Sequence, residues 1–308
     1  MSGNNFEVHL SFNTLGGGFL QAFMARSRDK ILAIFEKEAA GEGADAGLAQ
    51  TAAALKDDLA LSDEYYERQP YAKPEYLKET ISGAEERGWI TVEGKGFKST
   101  KKADGLNHQL VQLLEDDLNP LAVRVSVDIP DLVGQLDSVV ETAETVTLPM
   151  KPTFKFARYF EYADKTPSMV WVRRHLITIG SFRDDCHMSS WQKHQIPGFV
   201  WETLSFIWEG EINTPEKLAE TLSGYRGYQQ EDYQAAIDQL IDLGWVEAEE
   251  DHYIVSKSGR QVREEAEELT NEYYVKAFSS FSEAEMKALN GKLETITAEI
   301  APAMQAKE

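Results

Sequence analysis

The sequence predicts a mainly helical protein made of two similar modules, each a group of helices closed by a small β-hairpin. Three observations carry this. First, a pattern recurs at a shift of 156 or 157 residues (88 to 244, 71 to 228): Tyr71-Ala-Lys-Pro-Glu-Tyr76 with Arg87-Gly-Trp-Ile90 returns as Tyr228-Gln-Gln-Glu-Asp-Tyr233 with Leu243-Gly-Trp-Val246. Second, the apolar residues between these signals fall mostly at helical spacing. Third, 308 residues that are 42% hydrophobic and 27% charged suit two folded domains.

Each element follows from local pattern. Phe6, Val8, Leu10 and Phe12 alternate with polar residues and predict a half-buried strand. Gly16-Gly-Gly18 then reads as a turn; no Lys-Ser/Thr follows, as a phosphate loop requires. Ile31, Ile34 and Phe35 mark a first helix, Leu48-Ala-Gln-Thr51 a short second, and Leu77, Ile81 and Ala84 a third that Gly88 ends. Trp89-Ile-Thr-Val92 opens a hairpin with Phe97 near its end, and a long helix follows. Val123, Val125, Val127 and Ile129 alternate like a second strand, expected to pair with the first. Leu132, Val133, Leu136, Val139 and Val140 mark an inter-module helix, and Pro149–Pro152 a boundary.

The second module repeats the plan. Leu204, Ile207 and Trp208 lie on its first helix. Thr214 and Pro215 cap the second, which carries Leu218-Ala-Glu-Thr221. Ala236, Ile237, Leu240 and Ile241 line the third, which Gly244 ends. The last helix runs from Leu269 and Tyr273 through Phe278 and Phe281 to Leu289, Leu293, Ile296 and Ile300, with a break near Phe281-Ser282. The expected division is 1–118 for the first module, 119–167 for a short strand and helix insert, and 168–308 for the second module with its long last helix.

Both copies resemble the MarR-like winged-helix superfamily. The resemblance rests on the paired Tyr motif, the Gly-Trp corner, the hairpin, and Ser99-Thr-Lys-Lys102 or Val255-Ser-Lys-Ser258 before a long helix. Roughly the last 140 residues also resemble the SalK-type helix-turn-helix family, through Arg183-Asp-Asp-Cys-His187, Ile196-Pro-Gly198, the Gly227-to-Tyr233 turn and Gly259-Arg260. The MarR resemblance implies that helices flanking each core form a dimer seam. Here the two modules would supply it to each other as a monomeric pseudo-dimer, with a homodimer as the alternative.

Lys+Arg is 31 and Asp+Glu is 52, a net charge of −21, which argues against broad nucleic-acid binding. No run approaches the roughly 18 apolar residues of a membrane span, no secretory signal is visible, and the single Cys186 makes no internal disulfide. A cytoplasmic protein without membrane contact is expected. Lys151–His194 runs against the overall charge, with 8 Lys+Arg and 4 Asp+Glu, and is rich in aromatics. Two readings stay open: a pocket for a small anionic or aromatic ligand, formed by Arg174, Arg183, Asp185, His187 and Trp191, or a packed junction fixed by an Arg–Asp–His network. In either, Asp185 orients His187 and Arg183 clamps a carboxylate. The spacing of Cys186, His187 and His194 argues against zinc, and no nucleophile–base pair is evident. Neither catalytic residue, metal nor cofactor is expected, and the protein is read as no enzyme.

If DNA is bound at all, the contact is expected to be weak, salt-sensitive and carried by the first module alone. Lys78 on its third helix and Lys95, Lys98, Lys101 and Lys102 around its hairpin are the candidate residues. The second module's third helix carries Glu231, Asp232, Asp238 and Asp242 with no Lys or Arg, and its hairpin adds Glu249, Glu250 and Asp251. The expected function is a MarR-like regulatory or binding protein, with a ligand-responsive transcription regulator as its sharpest form. The alternative is a small-molecule- or protein-binding protein whose winged helices are purely structural.

Overall fold

The computed structural model describes residues 4–37, 48, 53, 60–159 and 165–305. The chain opens on one long helix, α1 (Asn4–Lys37), where the alternation at 6–12 predicts a strand. Phe12, Phe19 and Phe23 form its buried seam, at helical rather than twofold spacing. The three glycines expected as a turn lie inside this helix. A Cβ at Gly16 would press on Leu176 Cδ2 at 3.2 Å, so packing sets that position.

The first lobe follows. A short strand β1 (Ala60–Leu61) leads into α2 (Ser62–Glu67) and α3 (Pro74–Glu86). The hairpin β2 (Ile90–Glu93) and β3 (Gly96–Ser99) precedes α4 (Lys101–Leu118). The sheet order is β1-β3-β2, antiparallel, with Ala60 opposite Phe97 and Val92 opposite Phe97 across the other edge. Leu48, Tyr65, Leu77, Ile81, Trp89 and Phe97 are among the buried residues of this lobe, against which Ile31, Ile34 and Phe35 of α1 pack. Leu48 is helical and buried, while residues 49–51 of the expected second helix lie outside the described residues. The helix between β1 and α3 is α2.

The strand expected at 123–129 is instead a 3-10 turn (Asn119–Arg124) and the start of α5 (Ile129–Thr145). Asp128 caps α5 by accepting from the Asp131 N–H, and Pro130 sits in its first turn, which the alternation conceals. Val123 is 90% exposed, while Val125 and Val127 are partly buried against the core and Ile129 is buried. Next come α6 (Pro152–Tyr159) and α7 (Met169–Trp191). The second lobe holds α8 (Gly198–Glu209), α9 (Pro215–Arg226), α10 (Gln230–Asp242) and the hairpin β4 (Val246–Glu249) with β5 (His252–Val255). Then α11 (Lys257–Tyr274), a 3-10 turn (Val275–Phe278) and α12 (Glu283–Gln305) close the chain, with the break near 281 where the sequence puts it. The fold is therefore mainly helical with two small antiparallel sheets.

The two lobes close their hairpin corners alike. Gly88 and Gly244 both adopt φ +71, the left-handed geometry that ends a helix cheaply only at glycine. Trp89 N–H donates to Ala84 O and Trp245 N–H to Leu240 O, both at 2.9 Å. The Thr100 hydroxyl donates to Gly88 O at 2.7 Å and the Ser256 hydroxyl to Gly244 O at 2.6 Å. Tyr253 N–H donates to Asn213 O at 3.0 Å, on the side of β5 that matches β1 beside β3. Both α4 and α11 span 18 residues and run straight into a 3-10 turn.

Between the lobes lies a helical core. α1 lies along α12, and α5 lies against α7; α6 and α11 also pack on α7. α7 is buried on nearly every face, which is why it lacks a polar stripe. The lobes touch through the starts of α3 and α10. Lys73 N–H donates to Arg226 O at 2.8 Å, Lys73 Nζ pairs with Asp232 Oδ2 at 3.0 Å, and Tyr76 OH donates to Gly224 O at 3.1 Å. Gly227, at φ +79, meets the Tyr76 side chain so closely that a Cβ would overlap it, and Gly198 does the same against Pro70 O.

Candidate functional site

The densest polar cluster lies on the last turns of α7, but its parts point in different directions. Asp185 is 0% exposed and turns toward the start of α6, where Oδ1 accepts from Thr153 N–H at 2.9 Å and Oδ2 from Phe154 N–H at 2.7 Å. A carboxylate there satisfies two amides that helix geometry leaves without partners. Burial pushes the Asp185 carboxyl up to about 7, against the downward pull of those two donors. Lys151 does the matching work at the end of α5, donating to the carbonyls of Ala143, Glu144 and Val146 at 2.5–3.0 Å. Asp185 and Lys151 thus fasten the α5–α6 corner to α7.

Asp185 therefore does not orient His187, contrary to the sequence expectation; its oxygens are taken by the α6 amides. His187 Nε2 accepts from Trp201 Nε1–H at 3.3 Å, so the ring proton sits on Nδ1, which faces Glu267 Oε1 at 3.6 Å. Burial, followed by the Arg263 charge, holds the imidazole down to about 4, so it is neutral near pH 7. Arg183 lies over the Tyr274 ring and 4.0 Å from Glu267 Oε2. The carboxylate that gathers these groups is Glu267, which sequence reasoning missed. It also accepts from Arg263 Nη2 at 2.9 Å. The signal was the Arg263/Glu267 spacing of four residues on one helix.

Arg263 is 3% exposed and lies between Trp201 and Trp208, 4.8 and 5.0 Å from the ring centroids. Trp191 stacks on Trp201 at 5.8 Å and donates its indole N–H to Tyr71 OH of the first lobe at 3.3 Å. The structure thus brings Arg183, His187 and Trp191 to one junction. Arg174 is buried on α7 nine residues earlier, about 13 Å along the helix. Cys186 is buried, and burial pushes its thiol up, away from the thiolate that nucleophiles and metal ligands need.

The candidate DNA residues are on the surface but not all are available. Lys78, Lys95 and Lys101 are exposed. Lys98 pairs with Glu93 across the hairpin at 2.9 Å. Lys102 donates to Arg87 O at 2.9 Å and lies 3.8 Å from the Trp89 ring centroid, so it also holds the Gly-Trp corner. On α10 and its hairpin, Glu231, Asp238, Asp242, Glu249, Glu250 and Asp251 are exposed.

Residues 161–306 match the model of a helix-turn-helix family. No curated protein and no solved structure matches the chain. The C-terminal half is thus similar to a helix-turn-helix family, and in it α9 packs against α10. Among the described residues, no helix is long and apolar enough to cross a membrane.

Proposed function

We propose that the chain is a tandem winged-helix regulator of MarR-like plan, a fused pseudo-dimer that contacts DNA through its first lobe alone. The shared hairpin corners and the α4/α11 correspondence support the duplication. The packing supports the pseudo-twofold: the first helix of one half, α1, lies on the last helix of the other, α12, while α7 lies on α5 in return. The duplicated unit then runs from α1 to α5 and from α7 to α12, so the expected boundary at 118 falls inside the first unit and that at 167 just before the second.

The observation that carries the one-sided reading is the contact between α3 and α10. Each has 13 residues, about 20 Å. With their starts hydrogen-bonded to one another's lobe, their midpoints lie within roughly 30 Å, short of the ~34 Å between successive major grooves on one DNA face. Both helices cannot enter adjacent grooves in this arrangement. The acidic face of α10 repels a duplex, whereas the first hairpin offers cations.

Lys95, Lys98, Lys101 and Lys102 changed together to Ala should abolish duplex binding measured by fluorescence anisotropy at low salt. Replacing only the exposed Lys95 and Lys101 should weaken it and reduce the slope of log affinity against log salt by about 2. Tight binding that survives the fourfold change would place the DNA surface elsewhere. An absence of wild-type binding even at low salt would favour the reading in which the winged helices are structural.

A further inference from the structure

We infer that the contact between the lobes is an autoinhibitory clasp: it holds the leading turns of α3 and α10 against one another, and loosening it raises affinity for duplex DNA. This step rests on the DNA reading above and adds regulation to it.

A reading helix contacts base edges chiefly with its first residues, which enter the major groove. Here those residues are engaged elsewhere. Lys73, the cap of α3, donates its backbone N–H to Arg226 O at 2.8 Å. Its Nζ donates to Asp232 Oδ2 at 3.0 Å, on the first turn of α10, and lies 5.5 Å from the Tyr228 ring centroid. Tyr76, on the first turn of α3, donates its OH to Gly224 O at 3.1 Å and packs on Gly227. Ahead of α3, Pro70 O meets Gly198 and Tyr71 OH accepts from Trp191. A side chain at 198 or 227 would collide, so these two glycines let the segments meet. In the closed form, DNA is left with the first hairpin and the exposed Lys78 on α3, while the leading turn of α3 is withheld.

The clasp is built from contacts that small energies can break. Lys73 and Asp232 are each 33% exposed, so water competes for both partners and the pair holds only weakly. The Tyr76 hydrogen bond is also at the surface. Each lobe keeps its own apolar core, around Leu77, Ile81 and Trp89 in one and Leu218, Tyr233 and Ile237 in the other. Opening the leading turns therefore leaves both cores packed. Where the open form is a minor fraction, the apparent affinity for DNA falls by that fraction, and a change that favours opening recovers it.

The test pairs duplex binding, by fluorescence anisotropy at about 50 mM salt, with amide hydrogen exchange at Lys73. Tyr76→Phe removes one hydroxyl and no charge. Asp232→Asn breaks the ion pair but keeps an acceptor for the Gln229 N–H that caps α10. Asp238→Asn, exposed on the same helix, makes the same charge change outside the clasp. The double variant Tyr76→Phe/Asp232→Asn should bind roughly five- to tenfold tighter than wild type and exchange the Lys73 amide faster. Asp238→Asn should gain less than about twofold and leave that exchange unchanged. Wild-type binding with no greater gain in the double variant than in Asp238→Asn would overturn the clasp and leave the DNA reading standing. Unchanged Lys73 exchange in the double variant would also overturn it. Faster exchange with no duplex binding by any form would instead sink the DNA reading, and the clasp's inhibitory role with it.

Discussion

Alanine at Trp201 is expected to lower the free energy of unfolding by about 3–5 kcal/mol, the range for truncating a fully buried aromatic. Trp201 is 0% exposed and stands at the centre of the second lobe's junction with the core. Its removal leaves a large void beside Leu204 and Val200. It also removes the stacking partner of Trp191 and His194, the N–H that His187 Nε2 accepts, and one face of the Arg263 sandwich. Urea denaturation followed by circular dichroism would measure the loss. A change below about 1 kcal/mol would mean that the junction repacks, and that this tryptophan cluster is not the support described above.

Asp185→Ala is expected to cost about 1–3 kcal/mol, because it leaves the buried amides of Thr153 and Phe154 without acceptors. The loss should depend on pH with a definite sign. The folded carboxyl is raised to about 7 from an ordinary 3.8, so the folded state holds its proton more tightly than the unfolded chain. Its contribution is therefore fully present below about pH 4 and is lost as pH rises toward 7. The gap between wild type and variant should be wider at pH 5 than at pH 8. A gap that is constant, or that widens with rising pH, would contradict this account of Asp185.

The helix caps and hairpin corners of the two lobes were legible because their signals are local. Thr214-Pro215 caps α9 as read, with the Thr214 hydroxyl accepting from Lys217 N–H. The Gly-Trp corners close as the paired motifs imply. Two strands were misread, each for a physical reason. At 6–12 an alternating pattern sits within a longer helical seam, and α1 is held by packing along α12 despite three central glycines, each costing about 1 kcal/mol relative to alanine. At 123–129 the Asp128–Pro130 start of α5 outweighs the valine alternation. The site was harder to read. The cluster at 183–187 was visible as polar density, but Asp185 finds its partners about thirty residues away, at an α6 start that sequence spacing cannot locate. Glu267 and Arg263 come from a helix that reads as a plain charged surface until α7 and α8 are packed against it.

Hydroxyl-radical footprinting on a duplex selected from a random-sequence pool at about 50 mM salt tests the central claim most directly. A clasped pair of winged helices with one competent lobe should protect a single patch in one major groove and its flanking phosphates. Two equivalent patches centred one helical turn apart, about 10 base pairs, would show that both lobes read DNA as a symmetric dimer does. That result, or a pool from which the protein enriches no duplex, would contradict the one-sided account.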